Sequence, residues 1–436
     1  MGSSCHTQDI GFKRNFLLVI LGRLVSSLGT SIFNFALSLY VLDITGSAAK
    51  FSMILGFSFL AQVLVNFFGG VFVDRHNKKN IIVCTDLISG SLVLVFMALF
   101  HFYFQSIILL IFYTISLSTV QAIFGLAMNA SIPNFVNAET VPKTNSAMQA
   151  GVAITNIVGP IIGAIAYKAY GLEMVFLING VAFILSGISE MFIKYKQNPS
   201  LINEEKNYLE DIKVTFEYLN LHKIIGFLFV FAVIINLIFN SLMFLVLPYI
   251  NYHVIKVSGF QLSLIQASGA LGVVLGAAFV SFSSDHSFFL KRFFTLFRMQ
   301  AVSIMAWVFP LLPIFAGTNK WPITIVFSIL LIIYGGMNTV QNVPMISYFQ
   351  LKIPEAIRGR VFGVFWAALF LTTPLGLWLY GALLTKVQWF YVTFVSGMIM
   401  FIIGSVFAGH KYFKEFVIGL KEQNEVFDKM GVESRL

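Results

Sequence analysis

Charge is what this sequence has least of. Only 11% of its 436 residues are Asp, Glu, Lys or Arg, against roughly a quarter in an ordinary soluble domain. Hydrophobic residues make up 58%, and the mean hydropathy is +0.86. That scarcity excludes a water-soluble fold, which would need a polar face on most of its helices. The net charge is +9, but the lysines and arginines punctuate apolar runs instead of gathering on one amphipathic face, so no nucleic-acid partner is expected. Cysteine is nearly missing. Cys5 falls in a polar tail and Cys84 in an apolar run, so no disulfide framework is expected. Metal-ligand spacings, a nucleophile elbow and a phosphate-binding Walker loop are also missing, and the seven histidines are scattered. The expectation is therefore no metal, no cofactor, no ATP-driven pump and no enzyme.

What fills the chain is apolar runs of about 20 residues, the length that crosses a bilayer. They fall near 15–42, 49–73, 80–100, 104–128, 145–167 and 172–193, then near 224–251, 258–281, 293–314, 321–346, 358–384 and 388–412. This predicts an all-α integral membrane protein of twelve transmembrane helices in two six-helix halves. Residues 1–14 form an N-terminal tail, 15–193 the first bundle, 194–223 a polar linker, 224–412 the second bundle and 413–436 a charged, solvated tail. Within the linker Tyr208, Ile212, Phe216 and Leu219 recur at helical spacing. They mark either an amphipathic helix on the membrane or a solvated tether.

Positive charge sets the orientation, because inserted proteins keep Lys and Arg on the cytoplasmic side. One set of loops holds only Lys50, Lys168, Lys256, Lys320 and Lys386, and all the other lysines and arginines except Arg23 lie on the opposite side. Both termini and the linker are thus expected to be cytoplasmic.

After the second span comes GGVFVDRHNKKNIIV, Gly69 to Val83. It resembles the signature loop of the major facilitator superfamily, G-x-x-x-D-R-x-G-R-K-K, through Gly70, Asp74, Arg75, Lys78 and Lys79. Asn77 stands where glycine is usual, and asparagine also tolerates a left-handed backbone. The second-half loop keeps only Asp285, Lys291 and Arg292 as a loose echo. The segment from Lys352 to Ala367 resembles the P-E-x-x-x-G-R-V-F loop of macrolide-efflux-like and siderophore-exporter-like members through Pro354, Glu355, Gly359, Arg360, Val361 and Phe362. The two loops imply a conformational latch made by Gly70, Asp74, Arg75, Lys78 and Lys79 with Glu355, Gly359 and Arg360. Gly159, Pro160 and Gly163, similar to the tail of the antiporter motif, imply a helix bend or a tight helix contact. Thr30 stands where some relatives carry an acid, so no proton-binding role passes to it.

The resemblance implies the major facilitator fold and a secondary transporter in a bacterial-type inner membrane, acting as a monomer on a small molecule. Proton-coupled export of an amphipathic or apolar solute leads over ion-coupled or facilitated import and over a ligand sensor that moves nothing. Ionisable residues inside spans are the coupling candidates: Asp86, Arg23 and Glu190. Asp86 either takes up a proton as the cavity switches sides or braces the signature loop with Arg23. Polar, uncharged candidates for a substrate cavity are Asn34, Ser38, Gln62, Asn66, Gln121 and Asn129 in the first half, with Asn236, Asn240, Asn338, Gln341 and Asn342 in the second. Pairs at i, i+4 share a helix face, either wetted by a cavity or joined to a neighbouring helix. The 48 phenylalanines favour an apolar solute over a dianion.

Overall fold

The computed structural model describes residues 3–102, 106–135, 141–193, 208–283 and 286–430, and their regular structure is entirely helical. Lipid offers no partner to a backbone N–H or C=O, so apolar runs satisfy these groups within themselves, as helices. The chain divides into two compact units, Met1–Glu205 and Lys206–Leu436. The first holds α1 (Ser3–Thr45), α2 (Ala48–Arg75), α3 (Lys78–Phe102), α4 (Ile107–Phe135) and α5 (Val141–Met191). The second holds α6 (Tyr208–Leu221), α7 (Lys223–Ser241), α8 (Gly259–Phe282), α9 (His286–Lys291), α10 (Phe293–Met305), α11 (Trp321–Lys352), α12 (Glu355–Lys386), α13 (Trp389–Gly409) and α14 (Lys411–Met430).

Among the described residues eleven helical segments are long and apolar enough to cross a membrane, and the one within α5 runs for 45 residues. At 1.5 Å per residue it would reach about 68 Å, more than twice the roughly 30 Å of hydrocarbon. The backbone resolves this at Gly171, with φ 75° and ψ −177°, a conformation that only glycine adopts freely. The two arms of α5 are separate crossings, and the total is twelve.

Each unit is assembled by the same pairing. In the first, α1 lies on α5, α3 on α5 and α2 on α4; in the second, α7 lies on α12, α10 on α13 and α8 on α11. With α5 taken as the fifth and sixth spans, both units join first to fifth, second to fourth and third to sixth. Small residues make the approach close. A Cβ on Gly276 would sit 2.6 Å from the Gly336 carbonyl oxygen, and one on Gly163 2.7 Å from that of Ile32. With no hydrophobic drive between helices in lipid, such backbone proximity supplies the packing.

Four local expectations change. The ninth span stays α-helical only to Met305 and continues as 3₁₀ turns over Ala306–Leu311 and Pro313–Phe315, because Pro310 and Pro313 cannot donate to an α-helical ladder. The seventh extends beyond Ser241 through π-helical turns at Leu242–Val246 and Tyr249–Val254. The segment expected as a solvated tail is buried on one face over Phe413–Leu420. It is a helix whose Phe413, Phe416 and Leu420 are buried, with Phe413 against Phe294 (4.6 Å) and Phe416 against Tyr348 (5.0 Å). In α6 the inward face is Thr215, Tyr218 and Leu219, whereas Phe216 is 55% exposed. The expected stripe was therefore about one position out of register. The side chains of Tyr208 and Ile212 lie outside the described ones.

Candidate functional site

The signature loop is the short connection between α2 and α3. The Asn77 side-chain oxygen accepts from the backbone N–H of Lys79 (3.0 Å) and of Asn80 (3.3 Å), capping α3. Lys256 is the only non-glycine with a left-handed φ among the described residues, so Asn77 serves the turn as a cap and not through a left-handed backbone. Lys79 Nζ donates to the Met191 carbonyl at the end of α5 (2.8 Å). It satisfies a carbonyl that the helix leaves open and complements the negative end of its dipole. Arg75 is exposed and Lys78 half-buried. Gly70 has open space beside it, and its neighbour Gly69 is the one that faces α4, 3.1 Å from Leu126 at its Cβ position. In the second loop Gly359 and Arg360 are exposed at the start of α12, and Arg358 Nε donates to the Ile353 carbonyl (3.2 Å). The side chains of Asp74 and Glu355 lie outside the described ones.

Beneath the first loop the helices bring Arg23, Asp86 and Glu190 together. They stand on α1, α3 and the second arm of α5, at the end of the unit where α2 meets α3. Asp86 and Glu190 are both 0% exposed, and no oxygen of either carboxyl has a hydrogen-bond partner among the described residues. The two acids interact with each other and with Arg23 through space. Arg23 does not lock onto either one; its guanidinium lies over the Phe124 ring, 4.9 Å from the centroid. Ser186, whose hydroxyl would otherwise serve the acids, donates to the Gly22 carbonyl (3.0 Å). Two buried carboxyls share one cation, so one negative charge is left over whenever both acids are ionised. Uncompensated charge in hydrocarbon is costly. This arrangement can hold a proton.

The glycine–proline motif lies on α5 against α1. Helical backbone runs through Pro160. A Cβ on Gly159 would collide with Ser31, whose hydroxyl donates to the Thr155 carbonyl (3.0 Å).

The amides divide into two groups. Gln121 donates from Nε2 to Ser89 Oγ (3.0 Å) and ties α4 to α3. Asn236 donates to the Leu369 carbonyl (2.8 Å), and Asn240 to Asn236 Oδ1 and Thr373 Oγ1 (both 2.7 Å), which ties α7 to α12. Buried Gln341 donates to the Phe293 carbonyl (3.2 Å) and ties α11 to α10. Ser38 donates to Phe35 within its own helix (2.6 Å). Asn34, Asn66, Asn129 and Asn342 are exposed, and Gln62 and Asn338 half-buried. The 236/240 pair shares a face, as its spacing requires, and each residue donates one bond to α12. Asn240→Leu is expected to cost about 1 kcal/mol of stability, read as a lower melting temperature of the purified protein, because one interhelical bond to Thr373 and one bond within α7 to Asn236 are lost.

Sequence reasoning missed the upper part of the first unit's core. Arg23 packs on Phe124 and Phe33 packs on Tyr113 (5.1 Å), so α1 and α4 run antiparallel and stack in layers. Beside the charge cluster stand Ser186, bonded to Gly22, and Gln121, bonded to Ser89. Above that are Asn179 and Tyr113, both 0% exposed, with their polar atoms lacking partners among the described residues. Phe33, Phe96, Phe100 and Phe176 close the top around Tyr113. The available signal was spacing. Asn179, Ser186 and Glu190 are seven and eleven apart, on one helical face.

The chain and its fold resemble known proteins. A model of the Major Facilitator Superfamily matches residues 19–377. Macrolide efflux protein A of Streptococcus pyogenes is 23% identical over 378 residues, covering 84% of this chain and 88% of that protein. The multidrug resistance protein MdtG of a Rahnella species is 25% identical over 281 residues, 62% of this chain and 63% of that one. Among solved structures, a bacterial homologue of the iron transporter ferroportin in its inward-facing state aligns over 91% of this chain and 99% of its own, with a TM-score of 0.68 at 14% identity. The chain therefore belongs to the major facilitator superfamily, as a multi-pass membrane transporter of the macrolide-efflux-like kind.

Proposed function

We propose that this transporter exports an amphipathic or apolar solute in exchange for protons, by alternating access between the bundles at 15–193 and 224–412. It acts as a monomer in a bacterial inner membrane with both termini and the 194–223 linker cytoplasmic. The observation that carries the coupling is the Asp86 and Glu190 pair, fully buried and without hydrogen-bond partners among the described residues. A chain with so few charges keeps two acids inside its spans next to a single arginine, which suits a group that gains and loses a proton during the cycle. The names of the macrolide and multidrug relatives support efflux. The apolar and aromatic content of the spans supports a solute that partitions into such surroundings. The latch of Gly70, Asp74, Arg75, Lys78, Lys79, Glu355, Gly359 and Arg360 belongs to the same proposal, as the contact that holds one state, and so do the exposed amides as cavity lining.

The experiment is uptake of hydrophobic fluorescent cations and a macrolide panel into inverted vesicles under an imposed proton gradient. Wild type is expected to accumulate at least one of these compounds, and Asp86→Asn, present at the same level in the membrane, is expected to lose at least nine-tenths of gradient-dependent accumulation. Equal accumulation by both would remove Asp86 from coupling. Binding without flux in either would turn the reading to a sensor.

A further inference from the structure

Three features frame the inference, which rests on the proton-exchange reading. The two acids approach from neighbouring helices. A Cβ on Gly187, three residues before Glu190, would lie 3.4 Å from Asp86 Cβ, and one on Gly22, beside Arg23, would lie 3.7 Å from Glu190 Cγ. Glycine at both places lets the three helices close around the acids. Both acids are fully buried and neither has a hydrogen-bond partner among the described residues, with the Ser186 side chain near both and the Gln121 side chain near Asp86. Among its described residues the second unit buries no carboxyl. Early in its third span stands the neutral Gln300, buried on α10, where the first unit has Asp86 on α3. Among the described residues, buried carboxyls thus occur in one of two similarly built bundles.

We propose that Asp86 and Glu190 form a single proton-binding site within the core of the first unit, shared between the two carboxyls and charge-balanced with Arg23 only when one proton is bound. Protonation converts one carboxylate to a carboxylic acid and takes the three-residue cluster from a net charge of −1 to zero. The proton is held on one carboxyl while the other stays ionised beside Arg23, in the manner of two acids coupled at one site. No other titratable side chain faces them among the described residues of α1, α3, α4 and α5. Lys79, one to two turns before Asp86 on α3, donates instead to the Met191 carbonyl. The orphaned groups of Ser189, Asn179 and Tyr113 lie in the same core, and buried polar groups of this kind are ordinarily satisfied by water. Ordered water beside the acids supplies the route by which the proton comes and goes, and the ring layer around Tyr113 closes that route at the far side. Coupling therefore sits inside one bundle, reached from the end that bears the signature loop, and Glu190 is a full partner in it.

The test needs no transported compound. Infrared difference spectra of the full-length protein in proteoliposomes, taken across a pH titration, are expected to show one protonated-carboxyl band per protein that titrates. The band should disappear in both Asp86→Asn and Glu190→Gln, and persist in Asp86→Glu and Glu190→Asp. Each single neutralisation leaves one acid facing one arginine, a balanced pair, so both variants should remain monodisperse on size exclusion. A band lost in one neutral variant and retained in the other would assign the proton to a single acid and overturn the shared site. A band unchanged in both, or no titrating band in wild type, would overturn it as well. Vesicle flux separates this from the transport reading. A band with the predicted sensitivity alongside gradient-independent flux would leave the site standing and remove its role in coupling. Gradient-driven flux that survives both neutralisations would do the reverse.

Discussion

Arg23→Leu is expected to lower the stability of the purified protein by about 3 kcal/mol, since removing one partner of a buried charge set leaves the others uncompensated. Arg23 is the cation that interacts with both Asp86 and Glu190. Its loss leaves two ionised carboxyls in the core, and neutrality then requires two protons instead of one. Two consequences follow from that sign. The deficit should shrink as pH falls, because protonation removes the excess negative charge, whereas wild type should show a weaker dependence. The deficit should also shrink in Arg23→Leu/Asp86→Asn, where one acid remains in place of two. Thermal unfolding of the four proteins of this cycle, at neutral and acidic pH, measures both effects. A double variant that unfolds no later than Arg23→Leu would mean that Arg23 acts through its packing on Phe124 and not through its charge.

The second large effect lies in the other unit. Gly276→Val should prevent most of the protein from folding, because the new side chain meets backbone. The Gly276 Cβ position is 2.6 Å from the Gly336 carbonyl oxygen and 3.0 Å from Gly336 Cα. Neither of those atoms can rotate away, so α8 and α11 must separate along their length. Overpacking of a tight core costs about 1–3 kcal/mol, and a seam where each helix presents glycine to the other lies at the upper end or beyond. The natural control is Gly363→Ala on α12, where the added carbon meets open space. Its yield and its fluorescence-detected size-exclusion profile should match wild type, while Gly276→Val should lose the monodisperse peak. Normal folding of Gly276→Val would show that the helices are less closely apposed than these distances state.

The particular successes and failures of the sequence reading have a common physical origin. Apolar run length fixed the crossings, because a bilayer imposes one length on every span and leaves no alternative to the helix. The loop Gly69 to Val83 and the segment from Lys352 carried the family, since turns need particular residues at particular positions. The ionisable residues inside spans stood out because they are so rare, and Arg23, Asp86 and Glu190 were recognisable one by one. Their meeting was not. Residues 63 and 104 positions apart along the chain come together only once α1, α3 and α5 have packed.

The amides show the same limit from the other side. Asn236 and Asn240 share a face by spacing alone, but whether that face is wet or pressed against Leu369 and Thr373 depends on a helix more than a hundred residues away. In α6 the period of Tyr208, Ile212, Phe216 and Leu219 was legible, and packing turned Phe216 outward while Thr215 went in. The helix after Lys411 looked solvated because a short amphipathic helix has no length signal; its burial exists only because α7, α10 and α11 offer Phe227, Phe294 and Tyr348 for its rings to meet. Sequence by itself thus determined the solvent, the number of crossings and the family, which are properties of single segments. Tertiary structure alone decided which polar groups are paired with one another and which two acids are left facing one arginine, because pairing is a property of neighbours that the chain brings together only on folding.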